Sequence, residues 1–242
     1  MLRTLANIMI FTKGADEQKP LTGLNQALIE RGISPPWVWS EAKCTEYWKS
    51  KAGDDEGNKA SFYLNKDTKI CHFLADFLND HNIPKDAKIL EIGCNVGTNL
   101  NVLMEMGYRN VHGIEISQEA VSLMKESYPN INQENIVVGN AVDVLHKMEA
   151  DSMDVIFTMA VLMHIHPSSS SLFNEMVRVS KSRIITIEPE NASTCYIFPR
   201  NYKRVFERLG CTQTASFGIK NGFDRMYCGY TTRLFKKTKV KV

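Results

Sequence analysis

The sequence predicts an α/β protein: an open, doubly wound, mostly parallel sheet with an antiparallel last strand, preceded by a helical extension. Three observations carry this expectation. From residue 85 onward, short apolar runs alternate with amphipathic helical patterns, as successive strand–helix units do. The first, Lys88-Ile-Leu-Glu-Ile-Gly-Cys-Asn-Val-Gly-Thr-Asn-Leu100, reads as a buried strand running into a glycine-bearing turn and a helix. Near the far end, Cys211 to Ile219 and Arg225 to Phe235 are two β-rich runs around Asn221-Gly222, a hairpin signal.

The division expected is a helical extension over residues 1–84 and an α/β domain over 85–242. Met1 to Phe11 is partly apolar but lacks a small-residue cleavage site, so a strand or helix start is expected there, not a signal peptide. Leu21, Leu24, Leu28 and Ile29 mark an amphipathic helix stopped by Gly32 and Pro35-Pro36. Ser40 is placed to cap a second, Glu41 to Lys51, and Asp54 to Asn58 reads as an exposed linker. Ile70, Phe73, Leu74, Phe77 and Leu78 recur at three- and four-residue intervals, giving a helix into the domain. Trp37, Trp39, Tyr47 and Trp48 crowd one short stretch, either to wall a pocket or to glue the extension down.

In the domain, Ile89, Leu90 and Ile92 form the first strand, and Gly93 and Gly97 are expected to let the backbone approach a ligand before a helix from Asn99 to Met106. Asn110 to Ile116 is a second strand ending in Glu115, and Ser117 caps a helix with Ala120, Leu123 and Met124 on one face. Asn135 to Asn140 is a third strand, with Asp143 expected to cap or solvate the next helix. Met153 to Met159 is a fourth, leading into Ala160-Val-Leu-Met-His-Ile-His-Pro167. An amphipathic helix, Ser171 to Ser180, precedes a fifth strand, Arg183 to Glu188, and Tyr202 to Gly210 has helical spacing with a glycine stop.

The loop after the first strand separates two chemistries. A dinucleotide loop has the spacing G-x-G-x-x-G, and here Asn95 and Thr98 stand where glycines would be. An acid two residues before the first glycine, Glu91, instead suits a cofactor ammonium group, which S-adenosylmethionine (SAM) carries. An acid at the second strand's tip, Glu115, suits both hydroxyls of a ribose.

With Glu91, Gly93 and Gly97 in this order, the chain resembles the class I, seven-stranded, Rossmann-like SAM-dependent methyltransferases, whose first motif is (E/D)-x-G-x-G-x-G. Asn95 departs from the middle glycine. The resemblance covers roughly residues 85 to 237 and implies S-adenosyl-L-methionine as cofactor, S-adenosylhomocysteine as product. It implies a cofactor site of Glu91, Gly93, Asn95, Gly97, Glu115, Ile116, Asn140, Ala141, Met159 and Ala160, with Asn140-Ala141 at the adenine. His164 is the first candidate for a general base and Glu188 the second; His166 belongs as readily to a helix-start turn, and Glu188 or Glu190 is placed to meet the acceptor. Within the family, the loop and Val161-Leu-Met-His-Ile-His-Pro167 look most like the small methylases found alongside pseudaminic acid biosynthesis, implying a small-molecule acceptor, a sugar or sugar-linked hydroxyl or amine.

Composition bounds the rest. A net charge of +2 argues against an extended nucleic-acid partner, and the one clear basic cluster, Lys236 to Lys241, reads as a solvated tail. The Asn/Asp-Pro-Pro-aromatic tetrad of amino-methylating base modifiers is replaced by Thr158-Met-Ala-Val161, and no metal-ligand set is evident. Six scattered cysteines suggest reduced thiols, and with no long apolar span the expected location is cytoplasmic. Two alternatives stay open: a nicotinamide-dependent oxidoreductase, and a catalytically silent SAM-binding or partner-docking protein.

Overall fold

The computed structural model describes residues 19–50, 59–64, 68–219 and 229–238. Met1 to Phe11, the linker Asp54 to Asn58, the turn at Asn221-Gly222 and the end of the basic tail lie outside the described residues.

Seven strands form one sheet: β1 Lys88–Ile92, β2 Asn110–Glu115, β3 Ile136–Val138, β4 Met153–Met159, β5 Ser180–Pro189, β6 Cys211–Gly218 and β7 Tyr230–Lys237. Their spatial order is β3-β2-β1-β4-β5-β7-β6. Pairs from β3 through β5 are parallel, and β7 runs antiparallel to both β5 and β6. The strand order turns at β1, with β2 on one side and β4 on the other, and open sheets of this kind bind ligands outside the strand ends at that point.

Each central strand reads as a continuous apolar run because both of its faces are covered. On one face Ile89, Val111, Val155, Phe157, Ile185 and Ile187 pack with helices α4 (Lys69–Asp80), α5 (Thr98–Glu105) and α6 (Gln118–Ser127). On the other, Leu90, Ile92, Ile114, Ile156 and Ile184 meet α7 (Ala141–Lys147), α8 (Ser171–Val179) and α9 (Tyr202–Arg208). Neighbours such as Ile89 and Leu90, or Ile184 and Ile185, thus serve opposite layers, as the two-residue period of a strand requires.

The first helices are α1 (Lys19–Ile29), α2 (Glu41–Ser50) and the short α3 (Ala60–Leu64). Polar contacts fasten them to the domain. The carboxylate of Glu30 accepts the Asn201 N–H at 2.9 Å and the Arg204 guanidinium at 3.0 Å. Trp39 donates its backbone N–H to the Cys195 carbonyl at 2.7 Å, and Ser168 Oγ donates to Glu41 at 2.7 Å. The segment is thereby laid over the strand ends, with α2 facing the loop that follows β4.

Ser117 caps α6 as expected, accepting from the Ala120 N–H. Of the two roles expected of Asp143, it takes the solvated one and leaves the cap of α7 to another residue. Asn140, not Asp143, holds that position, accepting the Val142 N–H on Oδ1 at 2.9 Å. The helix starts at Ala141, two residues before the acid, so Asp143 falls in its first turn, where it favours the helix dipole. The five described cysteines, 44, 71, 94, 195 and 211, are thiols, not disulfides. Among the described residues no helix is long and apolar enough to cross a membrane.

Candidate active site

A cavity of about 350 Å³ opens where the C-terminal ends of β1, β2 and β4 converge under α2. Glu91 and Glu115 both line it.

Glu91 is the penultimate residue of β1 and is 1% exposed. Its Oε1 accepts from the Asn99 side-chain amide at 2.6 Å, while Oε2 is buried with no hydrogen-bond partner among the described residues. Burial pushes its carboxyl up to about 8, the Asn99 donor opposes this, and the neighbouring Glu115 adds to it. Such a group has an oxygen in reserve and gains from an incoming cation.

Glu115 is 5% exposed and braces the loop. Oε2 accepts the Asn95 N–H at 2.9 Å and Oε1 the Ser117 N–H at 2.8 Å, so the loop after β1 is tied to the tip of β2. A carboxylate has about four acceptor positions, which leaves lone pairs for hydroxyl donors. Asn95 stands at φ +49°, the left-handed region that asparagine tolerates better than most side chains, which accounts for it in a glycine's place. Ile116, Asn140 and Ala141 line the same wall.

The two glycines work differently from the expectation. Gly93, at φ +74°, is in the lining, but a Cβ there would stand 2.5 Å from Cγ2 of Val161. Its bareness admits the loop after β4. Gly97 is a correction: it lies outside the cavity lining, at φ +80° ahead of α5, where a Cβ would come within 2.7 Å of Met124 and 3.0 Å of Ile131. It is required for a left-handed turn packed on α6. Gly97→Ala is therefore expected to lower stability by roughly 1–3 kcal/mol through strain and overpacking, read from the midpoint of urea unfolding.

Met159 and Ala160 lie opposite, at the end of β4. Ala160 sits at φ +58°, a conformation costly for alanine, and turns the chain into the segment carrying His164. His164 lines the cavity, and its Nδ1 is 3.2 Å from the Tyr196 carbonyl. A carbonyl only accepts, which assigns the proton to Nδ1 and leaves a lone pair on Nε2. Burial pulls the imidazole down to about 4, partly offset by that carbonyl. His166 differs. It caps the turn Pro167–Ser169, with Nδ1 engaged by Ser168 and Nε2 3.4 Å from Ser34 Oγ.

Glu188 and Glu190 require correction as groups facing the acceptor. Glu188 is fully buried and absent from the lining, and its oxygens accept the N–H groups of Val161 and Leu162 at 3.0 Å and of Met163 at 3.4 Å. Glu190 is held by Arg233 in a two-pronged ion pair, at 2.6 and 2.8 Å.

The aromatic crowd divides. Trp48 lines the cavity, its ring centroid 4.2 Å from that of His164, and its buried indole N–H has no acceptor among the described residues. Trp39 and Tyr47 stand behind it, packing on each other at 5.4 Å and on Tyr196 at 5.1 and 5.5 Å. Trp37 is outside the lining. Glue and wall are thus both present. Tyr196, in a patternless loop, and the role of Asn99 escape a reading of the sequence; the only signal for Asn99 is a polar residue in the first turn of the helix, eight residues beyond Glu91.

Residues 90–185 match the family model described as a methyltransferase domain. No curated protein matches the chain. Among solved structures, it is similar to magnesium protoporphyrin IX methyltransferase of Synechocystis PCC 6803 with bound S-adenosylhomocysteine. That match has a TM-score of 0.62 and 14% identity, covering 82% of this chain and 100% of that one. It is also similar to a SAM-dependent methyltransferase of Aquifex aeolicus, with a TM-score of 0.54 and 15% identity over 74% and 97% of the two chains. The cyclase SpnF shares the fold at a TM-score of 0.53 and 13% identity, over 68% of this chain and 80% of that one. Identities this low carry the fold, so the chemistry must be argued from the site.

Proposed function

We propose that the methyltransferase domain of this chain moves a methyl group from S-adenosylmethionine to a small acceptor lying between the strand ends and α2. The observation that carries the reading is the pair of carboxylates at 91 and 115, on adjacent strand tips and in one cavity wall. The spare, buried oxygen of Glu91 fits the cofactor's ammonium group. Glu115, with lone pairs left over, suits the ribose hydroxyls, and Asn140 and Ala141 suit the adenine. Once bound, S-adenosylmethionine supplies an electrophilic methyl on a positively charged sulfur.

The chain's own contribution is placement and exclusion of water. Met159, Ala160 and Trp48 wall the space in which an acceptor would meet the methyl. His164 Nε2 takes the acceptor's proton as the new bond forms. A base this weak suffices, because an oxygen gaining a methyl becomes strongly acidic. The acceptor we favour is a hydroxyl or amine on a sugar or sugar-linked compound, supported by the likeness of the Val161–Pro167 segment to methylases found alongside pseudaminic acid biosynthesis.

The direct test is transfer of labelled methyl from SAM into a metabolite extract, with the product identified by mass spectrometry. Label on a sugar is expected; cofactor binding without label on any compound would favour a silent SAM-binding protein. His164→Gln is expected to slow transfer about 100-fold with SAM affinity unchanged. Since His164 is pulled down to about 4, its base form persists above that pH, and the rate should show no histidine limb between about pH 5 and 8.

A further inference from the structure

The segment Val161–Ile165 runs between β4 and α8 without a partner strand, yet its backbone groups are satisfied from both sides by two buried opposite charges. Glu188, at the end of β5, takes the N–H groups of residues 161, 162 and 163. Arg200, 1% exposed, takes the carbonyls. Its Nη1 donates to Leu162 at 3.3 Å and to Phe198 at 3.4 Å, and its Nη2 to Ile165 at 2.7 Å. Phe198 closes the arrangement by donating its N–H to the Met163 carbonyl at 2.7 Å.

Burying a guanidinium and a carboxylate is costly, and such groups add little net stability over apolar packing. What they provide here is geometry. The segment opens on the left-handed Ala160 and carries His164 between its anchored residues. His164 is tied in turn to Tyr196, on the same loop as Arg200. An arginine fork can hold three carbonyls at fixed angles, which a lysine cannot.

We propose that Glu188 and Arg200 are positioning residues: gripping Val161–Ile165 by its amides and its carbonyls respectively, they fix the place and the unprotonated Nε2 of His164 against the acceptor space. This rests on the reading of His164 as the acceptor-side base, and it is tested without an acceptor.

Glu188→Gln and Arg200→Lys are made in the full chain and followed by three measurements: amide hydrogen exchange, NMR titration of the His164 ring, and calorimetry with S-adenosylhomocysteine. In each variant, exchange at residues 161–165 is expected to rise at least about tenfold while β1 and β4 keep their protection. The His164 midpoint should move up toward the ordinary value of about 6.5 as the ring gains water. Affinity for S-adenosylhomocysteine should stay within about threefold, since Glu91 and Glu115 are held by Asn99, Asn95 and Ser117 and not by the loosened segment.

An unchanged His164 titration, or exchange rising uniformly through the sheet, would overturn the proposal in favour of plain structural support. If Arg200→Lys does not fold, Glu188→Gln, which keeps the side chain's size, decides alone. Absence of S-adenosylhomocysteine binding in the unsubstituted protein would instead strike the functional reading, leaving the exchange and titration results to be read independently.

Discussion

Glu115→Ala should weaken SAM binding by at least about 100-fold and lower stability by roughly 2–4 kcal/mol. Both effects have one origin. The side chain accepts the N–H groups of Asn95 and Ser117, and truncation leaves the buried Ser117 donor without its acceptor while releasing the loop from the β2 tip. An unsatisfied buried donor costs about 1–3 kcal/mol by itself. The acceptors assigned to the ribose are lost in the same step. Calorimetry and urea unfolding measure the two effects separately, and SAM affinity within threefold of the unsubstituted protein would remove Glu115 from the cofactor site.

The second large effect is a pH dependence centred on Glu91. Burial holds its carboxyl at about 8 in the free protein, so near neutrality it is mostly protonated. A bound ammonium and sulfonium favour the carboxylate, so binding should release a proton. Affinity for SAM is therefore expected to climb by up to about tenfold per pH unit from pH 6 toward 8, where the cofactor's own α-amino group begins to lose its charge. Glu91→Gln should flatten this slope and leave affinity about 30–100-fold below the unsubstituted value at pH 8. Calorimetry in buffers of different ionisation enthalpy counts the proton; equal release in the variant and the unsubstituted protein would refute the assignment.

The same shift has a consequence for folding. A carboxyl raised above its unfolded value stabilises the fold at low pH, and that contribution declines as pH rises from about 4.5 through the folded value. Glu188, pushed up to about 7 by burial, acts in the same direction. The ligand-free protein should accordingly lose stability between about pH 5 and 8, and SAM should restore the share belonging to Glu91.

Much of this site was legible in the chain because its signals are local. Glu91 and Glu115 each stand one residue before the end of an apolar run, so their position near a strand tip follows from the run itself. Glycine positions were legible too, but not their reason. At Gly97 the sequence shows only that a side chain is missing; that the empty space belongs to Met124 and Ile131 depends on how α6 packs. Glu188 misled in the same way. An acid at a strand's end can face solvent, substrate or a neighbouring loop, and the backbone amides of 161–163 settle the matter only once β4 and β5 lie side by side.

The chain alone determined the alternation of strands and helices, the acid–glycine loop and the antiparallel close of the sheet. Hydrophobic period, turn residues and caps act over a few positions, and a reader of sequence sees them whole. Tertiary structure alone decided which residues meet across the cavity: Trp48 against His164, Arg200 beneath Ile165, Asn99 on Glu91. Those pairs join elements by packing and by the need to satisfy buried polar groups. Both depend on three-dimensional neighbours that no spacing along the chain encodes.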